Sequence, residues 1–66
     1  MNNLVINGKT IGQCSRPRER GYGSSAYVFL MKEGYYVIIE YSNIIDYYID
    51  CDKNSDDCNY MFTLMN

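Results

Sequence analysis

Three cysteines, a run of aspartates and a cluster of arginines are the residues here whose types and spacing could do chemistry, and none has a complete set of partners. Histidine is absent, so the usual general base and commonest metal ligand are missing. Cys14 lies two residues before Arg16, whose charge would lower a thiol's pKa, but nothing in the sequence pairs it with a base; it reads as a structural thiol. Cys51 and Cys58 are close enough in sequence to close a hairpin as a disulfide under oxidising conditions. Three is an odd number, however, and Met1 to Ile6 lacks the cationic and long apolar stretches of a secretory signal. The reading is therefore a soluble cytoplasmic protein with reduced thiols.

The segment Asp50-Cys51-Asp52-Lys53-Asn54-Ser55-Asp56 sets oxygen side chains at the first, third, fifth and seventh positions of a calcium-loop pattern. It departs from that pattern at the sixth position, where Ser55 replaces the turn glycine, and at the twelfth, where Met61 replaces the bidentate glutamate. A solvated, turn-forming acidic loop is the better description, and three cysteines make no four-ligand zinc set, so neither metal nor cofactor is expected. Arg16, Arg18 and Arg20, stiffened by Pro17 and followed by Tyr22 between two glycines, could grip a phosphate backbone while the tyrosine stacks on a base. Glu19 interrupts the patch and the net charge is −2, so direct nucleic-acid binding ranks below an ordinary solvated loop. With no acid, base and nucleophile that can be named together, an enzyme is not expected.

These groups must be positioned by a short chain. Sixty-six residues allow a single domain, 1–66, whose unaided core is marginal. No window approaches the ~20 apolar residues of a membrane helix, so no membrane partner is expected. Eight tyrosines, six of them between Tyr27 and Tyr48, supply much amphipathic aromatic area, to be buried in the core or offered to a partner.

Turn signals divide the chain into strands. Leu4-Val5-Ile6 enters Asn7-Gly8 and leaves as Lys9-Thr10-Ile11, a first hairpin. Residues 12–25 hold three glycines, the proline and the arginines, and predict a long exposed loop. Ala26 to Lys32 and Tyr35 to Tyr41, joined at Glu33-Gly34, predict a second hairpin. In the last third, alternation of Ile45, Tyr47, Ile49 and Cys51 with polar neighbours favours a strand, against a short helix near 43–51 capped by Ser42. Pairing Cys51 with Cys58 sets Ile49 opposite Tyr60, Tyr47 opposite Phe62 and Ile45 opposite Leu64. A three-residue turn, Ser42 to Ile44, would bring Tyr41, Ile39 and Val37 against Ile45, Tyr47 and Ile49. The expected fold is mainly β, a small antiparallel sheet or barrel-like meander of about five or six strands.

On that meander Tyr27, Phe29, Met31, Tyr36 and Ile38 oppose the set Val28, Leu30, Val37 and Ile39, so both faces are apolar and two covers are needed. The first hairpin can supply one; a homodimer or a protein target is the expected second, with closure into a barrel or a packed helix as the alternative. If 45–52 is a strand, Asp46, Asp50 and Asp52 share one face at about 6.5 to 7 Å for every two residues, close to the phosphate spacing of a nucleic-acid strand. With Glu40, Asp56 and Asp57 nearby, that surface could occupy a cationic nucleic-acid channel; acidic residues that merely blunt a strand are the plain alternative.

In its size, its acidic cluster from Asp46 to Asp57 and its aromatic face from Tyr27 to Tyr48, the chain resembles the small acidic proteins that phages encode to inhibit bacterial defence systems, anti-CRISPR proteins among them. The resemblance is one of profile, with no shared motif that would transfer a residue's role. It implies stoichiometric binding to a larger host protein, such as a nucleic-acid-binding effector, that blocks nucleic-acid entry or a conformational step. The expected contacts are Tyr27, Phe29, Tyr36 and Tyr48, with Asp46, Asp50, Asp52, Asp56 and Asp57 as the electrostatic contribution. A nucleic-acid-binding module using Arg16, Arg18, Arg20 and Tyr22 is the second expectation, and a self-associating structural protein the third.

Overall fold

The computed structural model describes residues 2–19 and 25–65. Its strands are β1 (Asn2–Ile6), β2 (Lys9–Cys14), β3 (Arg18–Glu19), β4 (Ala26–Leu30), β5 (Tyr36–Glu40), β6 (Ile44–Cys51) and β7 (Cys58–Leu64), in two sheets ordered β2-β1-β7-β6 and β3-β4-β5. Among the described residues the one helical element is a 3₁₀ turn over Tyr41–Asn43, and the region considered for a helix near 43–51 is mostly strand.

Asn7 and Gly8 make the first hairpin because both central positions take positive φ, 51° and 78°, in a turn whose twist matches that of the strands. The same turn is tied to the far end of the chain: the Asn7 N–H donates to the Phe62 carbonyl at 2.9 Å, and Asn7 Oδ1 accepts from the Leu64 N–H at 2.9 Å. The N-terminal and C-terminal strands thus lie side by side in the middle of the larger sheet, β1 parallel to β7, with Leu4 opposite Tyr60 and Ile6 opposite Phe62. Parallel neighbours cannot be joined by a tight turn, and here everything from β2 to β6 serves as the connection.

The expected loop over 12–25 is largely strand in its described part. Residues 12–14 continue β2, and after a break at 15–17 Arg18 and Glu19 pair with Val28 and Tyr27. β2 and β3 act as two halves of one bent strand, the first paired with β1 and the second with β4, so the chain turns the corner between sheets. Pro17, which has no N–H to give a ladder, sits at the bend. A Cys14–Met31 bridge joins the sheets there, flanked by Ser15 N–H to the Leu30 carbonyl and Lys32 N–H to the Gln13 carbonyl, both 2.9 Å. Gly12 is a packing residue: a Cβ there would come within 3.2 Å of the Met31 Cε.

Leu4, Phe29 and Met31 are the largest fully buried side chains. Phe29 packs against Tyr60 and Phe62, with ring centroids 5.4 and 5.6 Å apart, so it bridges the two sheets. Burying one such side chain contributes about 2 to 3 kcal/mol, a large share of the stability open to so short a chain.

Three register expectations change. The second hairpin pairs Leu30 with Tyr36, Phe29 with Val37 and Tyr27 with Ile39, because its turn closes from Met31 to Tyr35 around Gly34 at φ 101° and is one residue longer than a Glu33-Gly34 turn. A one-residue change flips faces: Tyr27, Phe29, Val37 and Ile39 point inward together, and Val28, Leu30, Tyr36 and Ile38 outward. The predicted turn over Ser42 to Ile44 does not fold β6 back onto β5. The 3₁₀ turn instead carries the chain to the other sheet, with Tyr41 N–H bonded to the Ser25 carbonyl and Met65 N–H to the Asn43 carbonyl, each at 2.8 Å. Along β6 the predicted pairs Cys51–Cys58, Ile49–Tyr60 and Tyr47–Phe62 form, but a bulge at Ile45 makes Ile44 the partner of Leu64.

Candidate partner-binding surfaces

The β6–β7 hairpin is oriented by Tyr47, whose ring stacks on Phe62 with centroids 4.3 Å apart. With Tyr47 inward, alternation turns Asp46, Tyr48 and Asp50 outward, opposite Thr63, Met61 and Asn59. Tyr48 is 56% exposed and stands at the strand-edge end of an outer row that runs through Met61 to Val5. Asn59 Oδ1, next to Asp50 in its row, accepts from Asn3 Nδ2 at 3.1 Å. Neither β6 nor β7 contains a lysine or arginine, and from 44 to 64 five aspartates face one lysine, Lys53.

The tip of this hairpin is rigid by construction. Cys51 and Cys58 are joined in a disulfide, where the sequence reading expects reduced thiols; their Cα atoms lie 4.0 Å apart. The two oppose each other directly, and the Cys58 N–H is engaged by Asn2 Oδ1 at 3.2 Å instead of by Cys51. Beyond the disulfide, Asp52 N–H donates to the Asp57 carbonyl at 2.8 Å, Asp52 Oδ1 accepts from the Asn54 N–H at 2.9 Å, and Asp56 takes φ 58°. This is the turn chemistry of short polar side chains. No cluster of three or more histidine, cysteine or acidic groups among the described residues is placed to hold a metal ion.

The predicted contact residues do not form one surface. Phe29 is fully buried, so its expected role as a contact gives way to a core role. Tyr27 is half-buried within a ring cluster, its centroid 4.8 Å from Tyr41, 5.2 Å from Tyr47 and 5.8 Å from Phe62. Tyr36 is 63% exposed on the outer face of the smaller sheet, whereas Tyr48, Asp46 and Asp50 lie outside the larger one and Asp52, Asp56 and Asp57 at its hairpin tip. Arg16 and Arg18 are exposed near the strand bend; Arg20 and Tyr22 lie outside the described residues.

Sequence reasoning set Leu30 on the face opposite Ile38, whereas the structure brings the two onto one exposed face. With Val28, Tyr36 and Arg18 they form the outer face of the smaller sheet, 46% of Ile38 being exposed. Ser15, Arg18, Val28, Leu30 and Tyr36 line a depression there, and Ser15 and Leu30 also line a second one with Cys14, Met31 and Lys32. The signal that would have found this face is the length of the turn at Gly34, which sets the parity of every pair behind it.

Titration reflects the packing. Burial raises the Cys14 thiol above its ordinary value, opposite to the effect expected from Arg16. Burial, helped by the neighbouring Tyr27 and Tyr60 hydroxyls, raises Tyr47 to about 12.

Among the described residues, no helix is long and apolar enough to cross a membrane. Comparison of the chain with protein-family models, with curated proteins and with solved structures finds no match.

Proposed function

We propose that the protein is a non-catalytic binding protein that inhibits a larger protein by laying its acidic hairpin against a basic, nucleic-acid-binding surface. The observation that carries this reading is the outward row Asp46, Tyr48, Asp50: two carboxylates flanking an exposed aromatic ring, on a strand pair without a basic side chain. Exposed carboxylates individually contribute little affinity, but a surface of one sign steers encounter with a basic partner and raises the association rate. Tyr48 supplies what charge alone does not, a rigid amphipathic ring that buries area at small entropic cost. The Asp52 N–H to Asp57 carbonyl bond and the Asn54 N–H to Asp52 Oδ1 bond hold the acidic tip in one shape, so less ordering is required on binding. A surface that accepts this row would otherwise accept a phosphate backbone, and occupancy would exclude it. That is how a phage-encoded inhibitor of the anti-CRISPR type, acting in the cytoplasm on a defence effector, would work.

The experiment is capture of polyanion-binding proteins, taken from a bacterial lysate by elution from heparin resin, on the immobilised protein and on the D46K/D50K variant. Capture that is lost in the variant and displaced by added duplex DNA or RNA supports the reading. Capture indifferent to both changes, with the variant folded by circular dichroism, contradicts it.

A further inference from the structure

Two outward faces of this protein complement each other in charge and in spacing. On β6, Asp46 and Asp50 flank Tyr48; at about 3.3 Å per residue the two acidic positions are about 13 Å apart with the ring midway. On the smaller sheet the centre is Leu30, 40% exposed, which lines one depression with Arg18 and Tyr36 and the other with Lys32.

The cations flank Leu30 as the aspartates flank Tyr48. Arg18 is level with Val28 on β4. The Cys14–Met31 bridge and the Lys32 N–H to Gln13 carbonyl bond continue the course of β4 past Leu30, so Lys32 lies four residues beyond Val28, again about 13 Å, with Leu30 between. No acidic side chain lines either depression among the described residues. Glu33, next to Lys32, holds its Oε1 3.9 Å from where a Gly12 Cβ would stand, on the β2 side.

We propose that the outward row of β6 docks on the Leu30 face of a second copy, with Tyr48 against Leu30 and Tyr36 of the partner subunit and the two aspartates beside Arg18 and Lys32 of the partner subunit. Exposed ion pairs each contribute little, but two at matched spacing fix the register, and the tyrosine ring buries apolar area between them. The row and the face lie on the outsides of two sheets that pack on each other, so they look in opposite directions and cannot meet within one chain. A copy therefore meets one neighbour with its row and another with its face, a head-to-tail contact that does not close as a dimer. The Leu30 face thus competes for the same row as the larger basic protein proposed above, but the contact itself requires no foreign partner.

Sedimentation equilibrium on the purified protein tests this apart from any lysate, so its failure and that of the capture experiment are read separately. In low salt the wild-type mass should climb from 7.7 kDa past twice that value as concentration is raised to about 1 mM, and return to 7.7 kDa at about 0.5 M salt. The variants R18E/K32E and D46K/D50K, each checked for folding by circular dichroism, should stay at 7.7 kDa alone. An equimolar mixture of the two should associate again, because each supplies the face that the other's row requires. Tyr48→Ala, which alters no charge, should weaken association about tenfold. If one double variant fails to fold, the other and the wild-type salt series still decide. A wild-type chain that stays at 7.7 kDa in low salt overturns the inference, as does association that survives either charge reversal, or a mixture of the folded variants that remains at 7.7 kDa.

Discussion

The Tyr47 ring lies on the Phe62 ring with planes 9° from parallel, and that stacking decides which residues of β6 meet solvent. Tyr47 is held between Phe62 and Tyr27, so Asp46, Tyr48 and Asp50 are turned out together; a slip by one residue would bury the carboxylates and expose the ring. Packing in the core therefore creates the acidic, aromatic outer face.

Tyr47 also gives the protein an alkaline limit. Its phenol is raised to about 12, so the folded state favours the neutral form. The resulting stability is fully present below the ordinary tyrosine value near 10 and is lost as pH rises toward 12, because the unfolded chain ionises first. Urea midpoints measured from pH 9 to 12 should fall more steeply for the wild type than for Tyr47→Phe. Equal slopes would contradict the assignment.

Phe29 should behave as a core residue. Phe29→Ala removes the ring that contacts Tyr60 and Phe62 and should cost about 3 to 5 kcal/mol. That is comparable to the whole stability of so small a chain. Loss of the cooperative thermal transition is the expected result, and a stable, folded variant would refute the core assignment.

Cys14 should be inert. The residue is buried and its thiol is raised by that burial, so little thiolate is present near neutral pH. In the non-reduced protein, iodoacetamide should label no cysteine until denaturant is added, then label Cys14 alone, as read by mass spectrometry. Rapid labelling of the native protein would contradict this.

Reducing the Cys51–Cys58 disulfide removes a cross-link between positions seven residues apart, a loss of about 2 to 3 kcal/mol on the chain-entropy account. The comparison is thermal unfolding with and without reductant, controlled by the C51S/C58S double variant. An unshifted transition would show that the β-hairpin contacts alone hold the tip.

What was legible in the sequence was local. Asn7-Gly8 identified the first hairpin, and the alternation beyond Ile45 identified β6 along with its register against β7 from Tyr47 to Cys51. Tertiary decisions were not legible. The turn at Gly34 closes one residue wider than its sequence suggests, and that single residue carried Phe29 from an expected contact to the core and brought Leu30 to the outer face beside Tyr36 and Ile38. The bent strand across Pro17 was hidden by loop-like composition, because its pairing partners, β1 and β4, lie on opposite sides of it in sequence. Of the candidate contacts, Tyr36, Tyr48 and the aspartates are exposed, but only the aspartates' own alternation with Tyr47 revealed which of them share a face.

Exposed residues of the hairpin should be separable from stability. Tyr48→Ala and the D46K/D50K variant should each change the unfolding free energy by about 0.5 kcal/mol or less. Both should weaken capture of a basic partner, the charge reversal through slower, less salt-sensitive association. A large stability loss with unchanged capture would make the row structural.

The central claim is that the outward face of β6 is the partner surface, and the most direct test is a photo-crosslinking benzophenone side chain placed at Tyr48 or, separately, at Tyr36. The account predicts that position 48 crosslinks to a larger basic protein in bacterial lysate and that excess nucleic acid suppresses the adduct, while position 36, on the other sheet, does not yield that adduct. Crosslinking from position 48 that is absent, or that nucleic acid leaves unchanged, would contradict it.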